Sequence, residues 1–265
     1  MWCRALRLAV ILAAAVPSAA GAAEFTARHG MTSGQYQAAF DQYAGQGYRT
    51  PNGVRYAAIW SRRGGPPWVA RHGMNAGQYQ SAFDQYSGDG YRPTDISATG
   101  LEQGSGTFAA LWDRSPGAWV ARHGLSSKQY QKEFNKRANE GYRLTDVEGY
   151  TVQGAVRYAA LWVRRKGPQW RARHGMTSSQ YQAAFDKATS QGFRPVKVDG
   201  YWTPNGVRYA AIWERRGGRW VARHGMTSGQ YQAEFNKYVG QGYRLVHVSG
   251  YMGPGQALYA AIWSR

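Results

Sequence analysis

Five histidines stand at regular distances along the chain, each inside the tetrapeptide Ala-Arg-His-Gly. They are His29, His72, His123, His174 and His224, separated by 43, 51, 51 and 50 residues. An imidazole can bind a ligand, hold a metal ion or hydrogen-bond a loop. Because a catalytic group is needed only once, fivefold repetition favours a structural role, with ligand contact as the alternative. No metal site is predicted, since neither cysteines nor a His-x-x-x-His pair accompany these histidines.

Arginine recurs with the same period and is the better candidate for binding. In each unit one arginine precedes the repeated histidine, one follows a predicted helix, and one lies just past a tryptophan. The three sets are Arg28, Arg71, Arg122, Arg173 and Arg223; Arg49, Arg92, Arg143, Arg194 and Arg244; and Arg62, Arg114, Arg164, Arg215 and Arg265. Belts of guanidinium groups can bind sulfate, phosphate or carboxylate. We take the first two sets and Trp202 as candidate ligand-binding residues; the alternative is that these arginines pair with local acids.

The composition is that of a folded, basic protein. The 265 residues include 33 Lys and Arg against 15 Asp and Glu, a formal net charge of +18, with 11 Trp and 19 Tyr. So many aromatic residues exclude a disordered basic tail. The charge implies attraction to anionic surfaces or polymers and says nothing about the fold.

Residues 1–23 have the features of a secretory signal. Arg4 and Arg7 and the apolar run 6–16 are followed by small residues suited to cleavage. We therefore expect these residues to lie outside the fold and the protein to be secreted or periplasmic, with no membrane span in the mature chain. A retained anchor is the alternative. Removal of the single cysteine, Cys3, would leave no disulfide, and removal of Arg4 and Arg7 would leave 31 basic against 15 acidic residues, or +16.

The unit 170–219 shows the predicted local structure most clearly. Residues 170–174 alternate as a short strand, and Thr177 with Gln180 forms a capping box that begins a helix. The capping pair recurs as Thr32/Gln35, Asn75/Gln78, Ser126/Gln129 and Thr227/Gln230. The predicted helix buries a stripe formed by Tyr181, Ala184, Phe185 and Ala188, and Gly192 is suited to end it in a left-handed conformation.

Two further strands are predicted after the helix. Pro195 and Gly200 indicate an edge or a bulge in the first, at 193–201. The second, at 208–215, is apolar on both faces and is expected to be covered on both sides. Turns at 203–206 and 216–219 would then join three strands into an antiparallel meander that ends in the next Ala-Arg-His-Gly strand. Trp213 and Trp220 would face each other across the second turn as core aromatics, with ligand stacking as the alternative.

The sequence thus predicts an α+β protein of five tandem units, each a three-stranded antiparallel meander plus one helix. A signal peptide at 1–23 precedes a domain at 24–265 with repeats 25–67, 68–118, 119–169, 170–219 and 220–265. Because the chain would begin with the third strand of a meander and end with the second, we expect 25–29 to pair beside 259–263. That pairing would close a propeller-like ring and remove exposed edges. An open α/β solenoid is the alternative.

Two repeats depart from the pattern. In repeat one, Arg49 is followed directly by 50–60, which is identical to 203–213, so the eight residues equivalent to 195–202 are absent. We expect this unit to lack most of one strand and to be the weakest sector. In repeat two, 96–106 lacks the Gly-Tyr pair that the later repeats carry.

The repeated motifs resemble a known family. The pattern is Trp-x-Ala-Arg-His-Gly-[Met/Leu]-x-x-x-Gln-Tyr-Gln-x-x-Phe, then Gly-[Tyr/Phe]-Arg, then Tyr-Ala-Ala-[Ile/Leu]-Trp. Over residues 25–265 it resembles the bacterial tandem repeat domain family, whose repeats are similar to the N-terminal region of secreted polyglycine hydrolases. The resemblance implies a repeat domain that accompanies a separate β-lactamase-like catalytic domain in those enzymes. No serine stands three residues before a lysine here, so the Ser-x-x-Lys nucleophile motif is missing and an architecture, not an activity, is implied.

We therefore expect a secreted, non-catalytic binding protein without a cofactor. Its expected partner is an anionic polymer, a glycan or another cell-surface component, and export disfavours nucleic acid. One alternative is a stand-alone secreted hydrolase related to the polyglycine hydrolases, with a site in one diverged repeat; His247 and Asp95 are the first residues to test. Another is a scaffold that docks other secreted proteins.

Overall fold

The computed structural model describes residues 7–11, 25–31, 35, 55–61, 65–100 and 106–265. The strands of repeat one are β1 (Arg7–Ile11), β2 (Phe25–Met31) and β3 (Arg55–Ser61). Repeat two has β4 (Trp68–Met74), α1 (Ala76–Gly88), β5 (Arg92–Thr99) and β6 (Thr107–Asp113), and repeat three has β7 (Trp119–Leu125), α2 (Ser127–Asn139), β8 (Arg143–Val152) and β9 (Ala155–Val163). Repeat four has β10 (Trp170–Met176), α3 (Ser178–Ser190), β11 (Arg194–Tyr201) and β12 (Arg208–Glu214), and repeat five has β13 (Trp220–Met226), α4 (Ser228–Gly240), β14 (Arg244–Met252) and β15 (Ala257–Ser264).

The four described helices begin as predicted. Each has a capping box in which the N-cap side chain and the glutamine three residues later satisfy each other's backbone amides, at Asn75, Ser126, Thr177 and Thr227. The box predicted at Thr32 lies outside the described residues. In α3 the predicted stripe is confirmed, since Tyr181, Ala184 and Ala188 are buried and Phe185 is half-buried. Gly192 has φ of 77° and ends the helix as expected.

Each repeat forms its own three-stranded antiparallel sheet, with an order that differs from the predicted meander. In repeat four the order is β10-β12-β11, so the last strand lies between the first strand and the strand after the helix. The prediction that β12 pairs with the next Ala-Arg-His-Gly strand is wrong. A strand that is apolar on both faces takes the centre, where both of its edges are paired. Pro195 stands beside the predicted bulge, on the edge strand β11.

The predicted face-to-face tryptophans are also corrected. Trp213 is 1% exposed and packs in the core of its own repeat. Trp220 begins the next sheet, pairs with Ser264 and meets Phe185 edge to face at 5.7 Å. The segment between the two tryptophans is therefore a link between sheets and not a hairpin turn.

The two faces of each central strand belong to two different repeats. Tyr209, Ala211 and Trp213 of β12 lie in the core of repeat four, with Tyr181 of α3. Ala210 and Ile212, on the opposite face, lie in the core of repeat three. The predicted burial of this strand on both sides is confirmed, and it joins consecutive repeats.

The same relation connects the last repeat with the first. Ala57 and Ile59 of β3 lie in the core of repeat five, with Met226 and Trp263. The predicted pairing of 25–29 beside 259–263 is nevertheless wrong, because β2 pairs with β3, while both edges of β15 are taken by β13 and β14. Within the described residues every sheet has three strands and none is closed, so the hydrogen bonds do not establish the predicted propeller-like ring.

The N-terminal segment contributes a strand to repeat one. β1 pairs antiparallel with β3, opposite β2. The expectation that residues 1–23 lie outside the fold is wrong for Arg7–Ile11 in the full chain; their service as a signal stays a prediction. In the part of the chain that the structure describes, no helix is both long and apolar enough to cross a membrane.

Candidate functional site

Helix α3 and strand β13, which belong to adjacent repeats, form a half-open groove. We call it the junction groove, lined between α3 and β13 by Tyr181, Gln182, Phe185, Trp220, Val221, Ala222, Arg223 and His224, with a volume of about 480 Å³. Equivalent phenylalanine and tryptophan rings meet edge to face at 5.7 Å between α1 and β7 and at 5.5 Å between α2 and β10. The sequence repeat therefore produces a repeated surface with an aromatic floor and an exposed arginine beside it.

Three of the repeated histidines lie at these junctions, and His224 lines the junction groove. His224 packs edge to face on Tyr181 of the preceding helix at 4.7 Å and on Tyr209 of the preceding central strand at 5.2 Å. Its Nε2 lies 3.3 Å from the hydroxyl of Ser178, as that of His174 lies 3.0 Å from Ser127. Each imidazole thus joins two repeats.

Burial favours the neutral form of the four described histidines of the repeats. It lowers the pKa of His72 to about 4, with a further contribution from the Arg71 charge, and it lowers the pKa values of His123, His174 and His224. Among the described residues no cluster of His, Cys, Asp or Glu is arranged to hold a metal ion. The side chain of His29 lies outside the described residues.

The first set of candidate arginines lies on the first strand of repeats two to five, in β4, β7, β10 and β13. Arg71, Arg122, Arg173 and Arg223 are exposed and stand opposite alanines of the central strands. Arg223 donates to the Tyr238 hydroxyl at 2.8 Å and lies 3.3 Å from Glu234. These arginines are exposed to solvent, and Arg223 also lines the junction groove. The side chain of Arg28 is outside the described part.

The second set lies at the start of the strands that follow the helices, β5, β8, β11 and β14, which we call the post-helix strands. Arg143 is 7% exposed, and its guanidinium lies 3.1 Å from Glu214 of the next repeat. Arg92 lies 3.6 Å from Asp113 of its own sheet. The side chains of Arg92 and Arg194 approach the linkers near Pro116 and Gly218. These groups have protein partners; Arg244 begins β14 at the same end, and Arg49 lies outside the described residues.

A buried charged cluster, which the sequence analysis missed, lies between the post-helix strands of three repeats. It consists of Asp95, Asp146, Glu148, Lys197 and Asp199, all less than 8% exposed. Lys197 Nζ lies 2.8 Å from a Glu148 carboxylate oxygen and 3.5 Å from one of Asp95, and it also pairs with Asp146. One lysine therefore holds carboxylates from two other repeats.

Backbone amides complete the cluster. Asp199 accepts from the amide of Gly149 at 2.6 Å and from the Ser249 hydroxyl at 3.2 Å. Asp146 accepts from the amide of Ile96 at 2.8 Å. Each of these bonds joins one repeat to a neighbour.

The cluster is poised to retain a proton. Burial raises the pKa of Asp199 to about 7, and burial together with the Asp199 charge raises that of Glu148 well above its usual value. Burial alone would lower the pKa of Lys197, but the neighbouring carboxylates outweigh it and raise the pKa well above normal. Lys197 is thus a fixed cation and is not suited to act as a base or nucleophile.

A cleft of about 460 Å³ opens above the cluster. Its lining includes Lys197 and Asp95 at depth, with Arg92, Arg165 and Arg216 among the other lining residues. Asp113 and Glu214 also line it. The cleft therefore carries both signs of charge.

The remaining sequence-derived candidates lie in or near these features. Asp95 belongs to the cluster, whereas His247 is 2% exposed and its Nε2 lies 2.7 Å from the carbonyl oxygen of Val198. Trp202 is half-buried and follows β11, and its carbonyl accepts from the Thr151 hydroxyl at 2.6 Å. The structure brings Asp95 and His247 to equivalent positions of different strands and not to one catalytic pair.

A signal in the sequence could have revealed the cluster. Asp95, Asp146, Lys197 and His247 face Leu111, Leu161, Ile212 and Ile262 at one equivalent register position. An ionisable residue at this position in four repeats, in strands that are otherwise largely buried, indicates a shared polar interior. The sequence analysis considered 193–201 only as an edge strand or a bulge and did not compare this position across the repeats.

Comparison with known sequences agrees with the observed unit. Five consecutive segments match the family described as polyglycine hydrolase-like, structural repeat, at residues 22–63, 65–115, 116–165, 167–216 and 217–265. No curated protein matches the chain. Each matched segment contains one Ala-Arg-His-Gly strand, and the resemblance inferred from the motifs is confirmed. The chain belongs to the polyglycine hydrolase-like structural repeat family.

Proposed function

We propose that this is an exported, non-catalytic repeat protein that binds an anionic or carbohydrate-bearing polymer of a cell envelope or host surface. The observation that carries the proposal is a half-buried Phe-Trp pair that recurs at three junctions, each with an exposed arginine three residues after the tryptophan. At the α3–β13 junction these residues line the junction groove, and equivalent grooves at the other two junctions are part of the proposal. Aromatic faces pack on sugar rings or apolar polymer segments, and an adjacent guanidinium binds sulfate, phosphate or carboxylate.

Equivalent grooves suit a polymer better than a small molecule. Each groove alone is a shallow site, but a polymer that reaches two grooves gains from effective concentration. The formal net charge of +18 adds a long-range attraction that salt screens.

The proposal includes a closed ring of five units. Support comes from the packing of Ala57 and Ile59 in the core of repeat five and from the contact of β14 with β3. Such a ring would present the grooves around its outer surface, whereas an open array would present them along a line.

Binding of the full chain to sulfated, carboxylated and neutral polysaccharides tests the proposal. We expect saturable binding to the anionic members that weakens steeply between low and moderate salt. Replacement of Arg122, Arg173 and Arg223 by glutamine should weaken binding by about tenfold, equivalent to about 1.4 kcal/mol.

A matched variant separates the grooves from total charge. Lys136, Lys166 and Arg219 are exposed and lie outside the lining described for the groove, so their replacement by glutamine removes the same three charges. Equal losses in the two variants, or no binding at low salt, would contradict the proposal. Shortening of the bound polymer during incubation would instead support the hydrolase alternative.

A further inference from the structure

The strand β1 has the same register on β3 that the post-helix strands have in other repeats. Arg7 stands opposite Ile59 and Ala9 opposite Ala57. In repeat four, Lys197 stands opposite Ile212 and Asp199 opposite Ala210. Because 55–60 has the sequence of 208–213, β1 occupies the position on β3 that β11 occupies on β12.

The neighbours of β1 are also those of a post-helix strand. β11 contacts β8 on one side and β14 on the other. β1 contacts β14 on one side and β5 on the other. Repeat one lacks the eight residues that build this strand elsewhere, and a segment from the N-terminus stands in their place.

The strand is needed because β3 is a central strand. Tyr56, Ala57, Ala58 and Ile59 are all at most 5% exposed. A central strand without its partner would leave a row of backbone amides and carbonyls unpaired, next to the edges of the flanking repeats.

We propose that repeat one contains a strand-acceptor site, bounded by β3, β5 and β14, whose ligand is an extended apolar peptide. In the full chain its occupant is Arg7–Ile11. After removal of the N-terminal segment, the site binds a peptide of that sequence in trans, antiparallel to β3, by addition of a strand to the sheet.

Disulfide trapping in the full chain tests the register. With Cys3→Ser as background, the pair Ala9→Cys and Ala57→Cys joins opposed residues of an antiparallel pair, which is within disulfide reach. Ala9→Cys with Ala210→Cys is the matched control, because Ala210 has the equivalent position in repeat four. We expect rapid cross-linking of the first pair only. Equal or absent cross-linking of the two pairs would overturn the proposal.

Exchange of the strand tests the acceptor site itself. A protease site is inserted between residues 11 and 25 of the full chain, and the purified protein is cut. We expect the N-terminal fragment to co-elute with the remainder and to be displaced by an excess of a labelled peptide that contains residues 7–11. The same peptide with Ala9→Pro should not displace it, since proline removes a strand amide.

Two results would contradict this expectation. One is immediate separation of the cut fragment together with no binding of the labelled peptide. The other is binding in a different place: a peptide that carries Ala9→Cys binds the chain that carries Ala57→Cys but forms no cross-link with it. In both cases the segment is not the ligand of a site on β3.

Discussion

At the residue scale, charged side chains lie deep between repeats, while the candidate ligand contacts lie outside. Lys197 is 4% exposed and faces three carboxylates. Buried pairs are costly to break because removal of one partner leaves the other charge uncompensated. The polar interior thus joins the repeats through interactions that each repeat alone cannot make.

Replacement of Lys197 by methionine should destabilise the fold strongly. The change leaves Asp95, Asp146 and Glu148 close together without a cation, and we expect a loss of about 3–5 kcal/mol at neutral pH. Urea unfolding measures the loss, and it should be smaller at pH 5, where the cluster takes up protons. The exposed Lys187→Met is the control, with a change within about 0.5 kcal/mol; equal effects of the two substitutions would contradict the role of the cluster.

The raised pKa of Asp199 predicts how the stability of the fold changes with pH. The folded-state pKa of Asp199 is raised from 3.8 to about 7. Because the folded state holds this proton more tightly than the unfolded state, protonated Asp199 stabilises the fold fully below pH 3.8. This stabilisation is lost as the pH rises to about 7. The slope is about 1.4 kcal/mol per pH unit for one proton. The histidines act oppositely, because their lowered pKa values cost stability as pH falls below 6.5. Asp199→Asn isolates the first effect.

Relative to the parent chain, Asp199→Asn should become more stable between pH 5 and pH 8. The asparagine amide can still accept from Gly149, so most of the geometry is retained. Urea unfolding at the two pH values gives the comparison. A difference between variant and parent that does not change with pH would show that Asp199 ionises normally.

At the element scale, the post-helix strands fit together through a Gly-Tyr pair. The hydroxyl of Tyr251 accepts from the amide of Gly225 at 3.0 Å and lies 2.8 Å from that of Tyr209. Its ring lies directly against Gly200 of the preceding repeat. Glycine is required there because a side chain would occupy the space of the ring.

Gly200→Ala should therefore destabilise the chain by about 1–3 kcal/mol or more, since the added methyl group overlaps the Tyr251 ring. Gly229→Ala is the matched control: it lies in α4 with open space around its Cβ, and should stabilise the chain by about 0.5–1 kcal/mol. Thermal unfolding distinguishes the two. If Gly200→Ala left the stability unchanged, the Tyr251 ring would not lie directly against Gly200.

Local signals predicted the elements well and their pairing less well. The capping glutamines and the stripe of Tyr181 in α3 determine helix position through contacts within a few residues, and both were predictable. Strand order depends on which edges are paired, and the alternating pattern of 208–213 gives the burial of β12 but not its partners. The charged cluster was missed for a related reason, since Lys197 meets its carboxylates only after three repeats assemble.

At the scale of the whole molecule, each repeat completes the core of its neighbour. The core of repeat four includes Ala260 and Ile262 of repeat five, and that of repeat five includes Ala57 and Ile59 of repeat one. A chain with such relations throughout should unfold as one unit, whereas an open array loses its terminal repeats first.

Ala57→Asp tests the contact between the ends. The carboxylate would be buried without a partner, with a loss of more than about 3 kcal/mol expected. If the ends are joined, amide exchange should rise in β15 as well as in β3. Ala76→Asp, at the exposed first position of α1, is the control and should be nearly neutral or slightly stabilising. Faster exchange confined to repeat one would favour the open solenoid.

The double burial of the central strands bears on how the five copies diverge. The sequence reads Tyr-Ala-Ala-Ile-Trp at 56–60, 209–213 and 259–263, Tyr-Ala-Ala-Leu-Trp at 158–162 and Phe-Ala-Ala-Leu-Trp at 108–112. A larger side chain there disturbs two hydrophobic cores at once, so a substitution destabilises two repeats. The residue that hydrogen-bonds the repeated imidazole needs only a polar atom within reach. It is Gln80 at one junction and Ser127 at the next. Mutational tolerance should therefore follow the number of repeats that each side chain touches.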